Sequence, residues 1–598
     1  MRVFCNPLNL PYQYQFCKNR EGHLSVDREA ADPSMVLFKG LYYIFPSMTC
    51  GFYYSEDMVS WKFHALRDMP VYDYAPDVRP VGDWLYFCAS SHEKGAHYRT
   101  RDPFSDEYEK IDGAFPFWDP NLFADEDGRL YFYWGSSPRE PIWGVELDRE
   151  TMQPVGERVP LFGNDEDNIG YERRGEDHVP ARSAEEKRRM LAEIGQQDID
   201  PMRRQMAIDY ITDHGYIEGA WMTKHGGRYY LQYGAAGAQF NIYGDGVYES
   251  DKPLGPFTLA KNNPYSYKPG GFIPGAGHGS TMEDRDGAWW HISTMRISVN
   301  HVFERRLGIW SAGFDMDGEL FCNQRYGDWP QDLDKLRRNP WAKPDWMLLS
   351  YGKKATASSF VPGCEPGKAA DENIRTWWKP ETNRPGEWLT LDLGEEYDVR
   401  AIQINFADDH PSVVPPDGTV YTGDIYDSRW IDTVHQPTRW LLEGSLDGED
   451  WFAIEDKSAT DTDLPHDLIV REQGFACRYV KLTVICVPYG QVPCVSGLRV
   501  FGMGHGEKPA AAQGVTAEYR SDLDVSVSWQ GEATGYVLNW GREPDKLYHS
   551  RMCFEPNAPI GALIKGQSLF IRVDSFNESG ITEGNISNFP LGPTLEKR

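Results

Sequence analysis

Five segments of this chain repeat one form, a glycine followed within one or two residues by an aromatic-rich stretch of β character. They are Gly40-Leu-Tyr-Tyr-Ile-Phe, Gly82-Asp-Trp-Leu-Tyr-Phe, Gly128-Arg-Leu-Tyr-Phe-Tyr-Trp, Gly227-Arg-Tyr-Tyr-Leu-Gln-Tyr and Gly287-Ala-Trp-Trp-His-Ile. Each follows a polar turn, and further short β-like stretches come after, such as Gly51-Phe-Tyr-Tyr-Ser-Glu-Asp and Leu307-Gly-Ile-Trp-Ser-Ala-Gly. One such unit cannot bury its own apolar face, so the units must pack on one another, and five of them predict an all-β fold built on a five-bladed β-propeller. The repeats stand about one blade apart except between Gly128 and Gly227, where residues from about 163 to 213 are highly charged. Within that stretch Ser183-Ala-Glu-Glu-Lys-Arg-Arg-Met-Leu-Ala-Glu-Ile reads as an N-capped helix, so the stretch is an insertion between blades.

Just upstream of the repeat glycines stand Ala31-Asp32-Pro-Ser-Met, Ala75-Pro-Asp77-Val, Trp118-Asp119-Pro-Asn-Leu, Ile217-Glu218-Gly-Ala-Trp and Gly277-His278-Gly-Ser-Thr. Asp119, Glu218 and His278 each lie nine residues before their glycine, and Asp32 lies eight before its own. Equivalent positions in successive blades are related by rotation about the propeller axis, so these side chains are expected to converge on one pocket. Crowding carboxylates into a low-dielectric mouth costs repulsion and desolvation and drives their pKa values apart. Turn capping does not require the same offset in every repeat. Glycoside hydrolysis does need two carboxyl groups about the scissile bond, one protonated and one ionised, roughly 6.5–9.5 Å apart when water attacks the opposite face and inverts the configuration. Asp32 and Glu218, on opposite-side blades, fit base and acid, and Asp119 beside blade 4 fits a modulator of the acid.

The overall charge excludes other partners. With 61 Lys+Arg against 90 Asp+Glu the net charge is −29, which repels nucleic acid and anionic membrane surfaces alike. Mean hydropathy is −0.58, and no apolar run approaches the ~20 residues of a membrane span. Aromatics are abundant, with 20 Trp, 33 Tyr and 28 Phe; such rings stack on sugars or fill β cores, and most are expected to be packing. The N-terminal stretch has no apolar signal region, so a cytoplasmic location is expected. The ten cysteines are scattered without a Cys-x-x-Cys pair and are expected to be free thiols, with a Cys486–Cys494 bridge reserved for an exported protein.

The ordered set Ala-Asp32-Pro-Ser, Ala-Pro-Asp77, Trp-Asp119-Pro-Asn-Leu-Phe and Ile-Glu218-Gly-Ala resembles glycoside hydrolase family 43, the five-bladed propellers of the β-xylosidase and α-L-arabinofuranosidase group. The resemblance covers about residues 1–335. It implies an exo-acting, inverting hydrolase of terminal pentose units in plant-cell-wall (xylan-type) oligosaccharides. Asp32 would be general base, Glu218 general acid, and Asp119 the residue that tunes and orients the acid. It further implies substrate contacts from Asp77, Tyr74, Trp118, Trp221, His278, Arg296 and Arg305, with Arg306 nearby, and no required cofactor. His278 would match the fifth-blade histidine beside an axial cation, often calcium, held largely through water. Tyr74 stands where members commonly carry Trp, and the insertion has no counterpart; it either closes over the pocket or packs outside the blades. Trp118-Asp-Pro-Asn superficially resembles the nucleophile motif of invertase-like propellers, but it lies in the third repeat and no Glu-Cys-Pro follows. A galactosidase of the same fold and a catalytically silent carbohydrate-binding protein remain alternatives, and no feature addresses oligomeric state.

Beyond a linker read from Gln331 to Trp346 the pattern changes to period-two strands with Gly/Asp turns, which predicts β-sandwiches. Ala355-Thr-Ala-Ser-Ser, Ala370-Asp371-Glu-Asn-Ile-Arg-Thr376-Trp-Trp, Gly444-Ser-Leu-Asp-Gly and Val500-Phe-Gly resemble a discoidin (coagulation-factor type C) domain over residues 336–503. In sugar-binding relatives the loop corresponding to Asp371–Thr376 holds calcium with an acid near the last strand; Gly497 stands in that acid's place here. Residues 504–598, with Asp524-Val-Ser-Val-Ser-Trp529 and Gly535-Tyr-Val-Leu-Asn-Trp540-Gly, resemble a fibronectin type III sandwich.

Overall fold

Each repeat glycine sits where the innermost strand of a blade turns back, with φ of 85° at Gly40, 60° at Gly82, 87° at Gly128, 81° at Gly227 and 84° at Gly287, a backbone region that side chains resist. The computed structural model, which describes residues 1–19, 22–66, 74–91, 94–105, 107–178, 184–211, 215–423 and 428–590, accordingly forms five antiparallel meanders of four strands, the fourth with a short extra strand, Ser266–Tyr267. Blade 1 runs Ala31–Phe38, Leu41–Ser47, Gly51–Ser55 and Lys62–Ala65, and blade 2 runs Asp77–Val81, Trp84–Cys88, Ala96–Thr100 and Glu109–Asp112. Blade 3 comprises Asn121–Ala124, Leu130–Trp134, Ile142–Leu147 and Pro154–Phe162. Blade 4 comprises Tyr216–His225, Arg228–Ala236, Gly244–Ser250 and Thr258–Leu259, and blade 5 Gly277–Glu283, Trp289–Arg296, Arg305–Phe314 and Leu320–Cys322. Most of the repeat aromatics, including Tyr42, Tyr131, Tyr133 and Trp290, are buried between blades, so the aromatic surplus is chiefly packing.

A recurring hydrogen bond fastens blade to blade near the start of the innermost strands. Ser34 Oγ accepts from the Val78 N–H (3.3 Å), Asp77 Oδ2 from Leu122 (2.7 Å), Asn121 Oδ1 from Met222 (2.8 Å), and Ser280 Oγ from Met35 (2.9 Å). The last of these closes blade 5 onto blade 1. Between blades 4 and 5 the indole of Trp221 replaces it, donating from Nε1 to the Thr281 carbonyl at 3.0 Å.

The stretch read as a linker is instead part of this closure. Val3–Phe4 pairs with Gln331–Asp332, and Asp332 caps the helix Leu333–Arg338 by accepting from the N–H groups of Asp334 and Lys335. Leu333 and Leu336 then pack in one core with Phe4, Leu8, Met35 and Trp290, and Arg337 donates to Asp284 at 2.7 Å. Each buried leucine contributes roughly 1.5–3 kcal/mol to a seam that joins the two ends of the propeller chain.

The insertion carries two helices, α1 (Ala184–Gly195) and α2 (Pro201–Ile211); its expected cap, Ser183, lies outside the described residues. The stretch ahead of them is clamped rather than loose: the Gly170 N–H donates to Leu563 O at 2.8 Å, and the Arg173 guanidinium grips the Asp524 carboxylate at 2.6 and 3.0 Å.

Residues 347–503 form a sandwich led by the long strands Glu387–Ala407 and His466–Cys486. From it a hairpin, Val420–Gly423 and Ser428–Asp432, reaches back to pair with the propeller strand Gln13–Lys18, setting Phe16 opposite Trp430. Ile431 thereby packs on Met48 and Cys50 of blade 1. The third unit is a sandwich of a three-stranded and a five-stranded sheet. Its Val525, Trp529 and Trp540 share a core with Tyr133 and Tyr233 of blades 3 and 4. All ten cysteines are free, and seven of them are buried.

Arg28 of the propeller lies buried against Asp463 (2.7 Å) and Asp408 (3.7 Å) of the second unit. Without the later units Arg28 would return to water, but the apolar surfaces of Met48, Cys50, Tyr133 and Tyr233 that those units cover would be bared. A chain ended after residue 340 is therefore expected to aggregate, or to melt about 10 °C below the full chain. Calorimetry showing an unchanged propeller transition would contradict this.

Candidate active site

At one mouth of the axial channel each blade places one residue in the left-handed backbone region: Asp32 (φ 47°), Ala75 (50°), Asp119 (48°), Gly219 (61°) and His278 (48°). That conformation turns the residue's N–H toward the preceding blade. Asp32 donates to Thr294 Oγ1 (2.8 Å), Ala75 to Ser47 Oγ (2.8 Å), Asp119 to Ser90 Oγ (3.0 Å) and His278 to Asp245 Oδ1 (2.6 Å). Gly219 donates to the Asp119 carboxylate. Glycine is required there, because a Cβ would stand 2.5 Å from the His278 ring.

The ring brings Asp32, Asp119 and His278 together as expected, with Glu218 one residue ahead of its blade's ring position. Counting back from the hairpin glycines merged these two positions because the turns differ in length: Gly226-Gly227 alone joins His225 to Arg228, whereas a longer turn joins Ala124 to Leu130. Asp77 and Trp221 lie two residues past the ring position and are not at the mouth. Both Asp77 oxygens are taken, by Asn121 Nδ2 (2.8 Å) and the Leu122 N–H (2.7 Å), and burial pushes this carboxyl up to about 6. Trp221 is buried under the Arg79 guanidinium, 3.5 Å from its ring, and lines a cavity of about 410 Å³ at the other end of the channel.

The two principal carboxyl groups have opposite surroundings. Asp32 Oδ2 accepts from Ser47 (2.8 Å), while Oδ1 accepts from Arg305 Nη1 (3.1 Å) and lies 3.4 Å from His278 Nδ1. Burial alone raises such a carboxyl, but Arg305, His278 and the hydroxyls of Ser47 and Thr294 together hold it below the ordinary aspartate value. Glu218 is half-buried, and its bonds come from neutral hydroxyls: Tyr243 to Oε1 (2.6 Å) and Ser136 to Oε2 (3.0 Å). Among the described residues no cation pairs with it. Asp119, buried beside both, is pushed up to about 7 by burial and by the charges of Glu218 and Asp32, against the pull of His278, 3.7 Å away.

Burial disfavours a charged His278, yet Asp32, Asp119, Glu218 and Asp245 outweigh it and keep the pKa above the ordinary histidine value. Calcium takes oxygen ligands, so an ion on the axis would meet this ring through water rather than directly. Among the described residues the acids close enough to share one ion are Asp315, Asp317 and Glu319 on the rim of blade 5, where Lys546 already sits.

Arg305 is buried behind Asp32, bound to Glu29 through Nε and Nη2 and to Asp32 through Nη1. Glu29 continues to Gln15 (3.0 Å), and Gln15 accepts from Arg429 Nη1 (3.1 Å), whose Nη2 donates to the Tyr74 hydroxyl. Arg429 comes from the hairpin of the second unit, so that unit helps hold the residues behind Asp32 and the Tyr74 wall. Tyr74 and Trp118 are half-buried; Tyr74 stands edge-on to Phe303 with centroids 6.0 Å apart, and Trp118 directly precedes Asp119. Arg306 is structural, donating to His466 Nε2 at 2.9 Å and to the Arg28 carbonyl. Arg296 is buried and bonded to Glu176 of the insertion (2.6 and 2.7 Å).

Sequence reasoning missed Tyr243, Asp245, Arg429 and the hydroxyls Ser47, Ser90, Ser136 and Thr294. The hydroxyls carried a readable signal, since each lies seven or eight residues past its repeat glycine. In the second unit the Asp371–Thr376 loop docks on the propeller, with the Ile374 N–H on Phe272 O (3.1 Å). A Cβ at Gly497 would lie 3.0 Å from the Phe272 ring, and Trp378 is core.

The family model "Glycosyl hydrolases family 43" matches residues 26–174 and 185–319, and "F5/8 type C domain" matches 354–434. The chain is similar to a "Beta-xylosidase" of Xylanibacter ruminicola, 28% identical over 169 residues, which are 27% of this chain and 44% of that one. A "Xylosidase/arabinosidase" of Bacteroides ovatus is 26% identical over 266 residues, 38% of this chain and 76% of the relative. "Xylosidase/arabinosidase 43A" of Humicola insolens is 25% identical over 347 residues, 48% of this chain and 95% of the relative. The chain thus spans under half the length of the first of these relatives and most of the other two.

Proposed function

The propeller of this chain is a family 43 glycoside hydrolase domain, and from that premise we propose that the protein removes a terminal pentose, α-L-arabinofuranose or β-D-xylose, from oligosaccharides with inversion at the anomeric carbon. The observation that carries this reading is the contrast between Asp32, held ionised by Arg305 and His278, and Glu218, bonded only by hydroxyls at the same mouth. In the proposed step Asp32 takes a proton from water as the water oxygen bonds to the anomeric carbon. The glycosidic C–O bond breaks, and Glu218 delivers its proton to the departing oxygen. Asp119 and His278, whose ring lies 3.4 Å from Asp32 and 3.7 Å from Asp119, share the charge at this mouth. The names borne by the Bacteroides and Humicola relatives support a pentose in either form.

A panel of nitrophenyl glycosides tests it. Turnover of an arabinofuranoside or a β-xyloside is expected at least about tenfold above any hexoside. A galactoside turned over fastest would favour a galactosidase, and no turnover of any member a silent sugar-binding protein.

The pH profile follows from the depressed Asp32. Its ionised form persists below the ordinary aspartate range, so the acidic limb of kcat/KM lies low. Arg305→Met removes the neighbouring cation and is expected to move that limb upward by about 1–3 pH units. Arg305→Lys, which keeps the charge, is expected to move it less; an unshifted limb in the Met variant would contradict the base assignment.

A further inference from the structure

A cavity of about 540 Å³ opens on the same face of the propeller, between blades 4 and 5, the insertion and the Asp371–Thr376 loop of the second unit. Its walls include Glu176, Asn241, Phe272, Arg296, Ser298 and Arg375. It adjoins the active site by strand geometry. Arg296 lies two residues beyond Thr294 on one strand, so both side chains point to the same side, and Thr294 holds Asp32. Asn241 lies in the turn that leads into Tyr243, which holds Glu218. The volume is within the roughly 300–1,000 Å³ of small-ligand sites.

Two guanidinium groups meet in this recess in a chain of net charge −29. The Arg296 side chain is only 4% exposed; Glu176 occupies its Nη2, while its buried Nε has no hydrogen-bond partner. Arg375 is exposed, the one polar contact of its guanidinium among the described residues is a long 3.5 Å one to Ser298 O, and among those residues no acid pairs with it. The two cations also oppose each other: after burial, Arg375 is among the causes that lower the Arg296 pKa. Among the described walls Glu176, 51% exposed, is the one carboxylate, and Asp177 behind Asn241 is matched by Arg551 at 2.7 Å, so Arg375 remains the unmatched charge. A neutral sugar gains little from such a pair, whereas a carboxylate matches the guanidinium fork.

We propose that this cavity is a subsite for a uronic-acid unit of the substrate, its carboxylate received by Arg375 of the second unit, with the buried Arg296 in the wall behind it. This rests on the hydrolase reading above and adds the substrate class: pentose-terminated oligosaccharides carrying an acidic branch near the cleaved bond.

The test uses the full chain and two probes, a xylo-oligosaccharide bearing one glucuronate branch and its unbranched counterpart. The ratio of kcat/KM for the acidic over the neutral probe is expected to be about ten or more, falling toward one in Arg375→Ala. The same two probes titrated calorimetrically into Glu218→Gln, with and without Arg375→Ala, read the preference without turnover. A ratio near one in the parent chain, or one unaltered by Arg375→Ala, overturns the subsite while hydrolysis itself stands. An Arg375-dependent binding preference without hydrolysis of either probe would support the subsite and count against xylose as the released sugar, and only the nitrophenyl panel failing as well would sink the hydrolase reading.

Discussion

Asp32→Asn is expected to lower turnover of an aryl pentoside by roughly 10²–10⁴-fold, by the same factor whatever the leaving group. The amide cannot accept the proton that water must lose, and that loss is independent of how readily the other oxygen departs. The substitution also leaves Arg305 with Glu29 alone and puts an uncharged group beside His278. Stability should therefore change with a definite sign. A carboxyl depressed in the folded state stabilises above its unfolded pKa and loses that contribution as pH falls, so Asp32→Asn should cost stability near pH 7 and progressively less in acid. Thermal melts at both pH values, set beside the kinetics, separate loss of the base from loss of the fold. A variant that melts normally and retains most turnover would remove Asp32 from the chemistry.

Glu218→Gln should fail differently. Its turnover of unactivated oligosaccharides is expected to fall by about 10²–10⁴-fold, while dinitrophenyl pentosides, whose leaving group departs without a proton, should lose far less. The loss should therefore grow steadily with leaving-group pKa. Glutamine keeps one oxygen to accept from Tyr243 and turns an NH2 to Ser136, whose hydroxyl can accept it as it would accept from the protonated acid, so the local geometry is retained and the missing proton is the main change. An equal loss across all leaving groups would make Glu218 something other than the acid.

The propeller and the convergence of Asp32, Asp119, Glu218 and His278 were legible because they repeat: rotation about one axis converts a fixed offset in sequence into proximity in space. The offset failed where it was counted from turns of unequal length, and a shift of two residues along a strand moved Asp77 and Trp221 away from the mouth. Arg305 illustrates a second limit. Spacing identified an arginine near the site but not its partner, since Glu29 is contributed by another strand. The same holds for Arg429, which arrives from the second unit through a hairpin pairing that no local pattern announces. Gln331–Trp346 looked like a linker because its composition is polar and Pro-rich, yet its few apolar residues close the ring.

The central claim is that Asp32 acts on water and not on the sugar itself. Hydrolysis of a nitrophenyl pentoside followed by proton NMR from the first seconds reads this directly. The initial product should carry the anomeric configuration opposite to the substrate's and then mutarotate. An initial product of retained configuration would contradict the account.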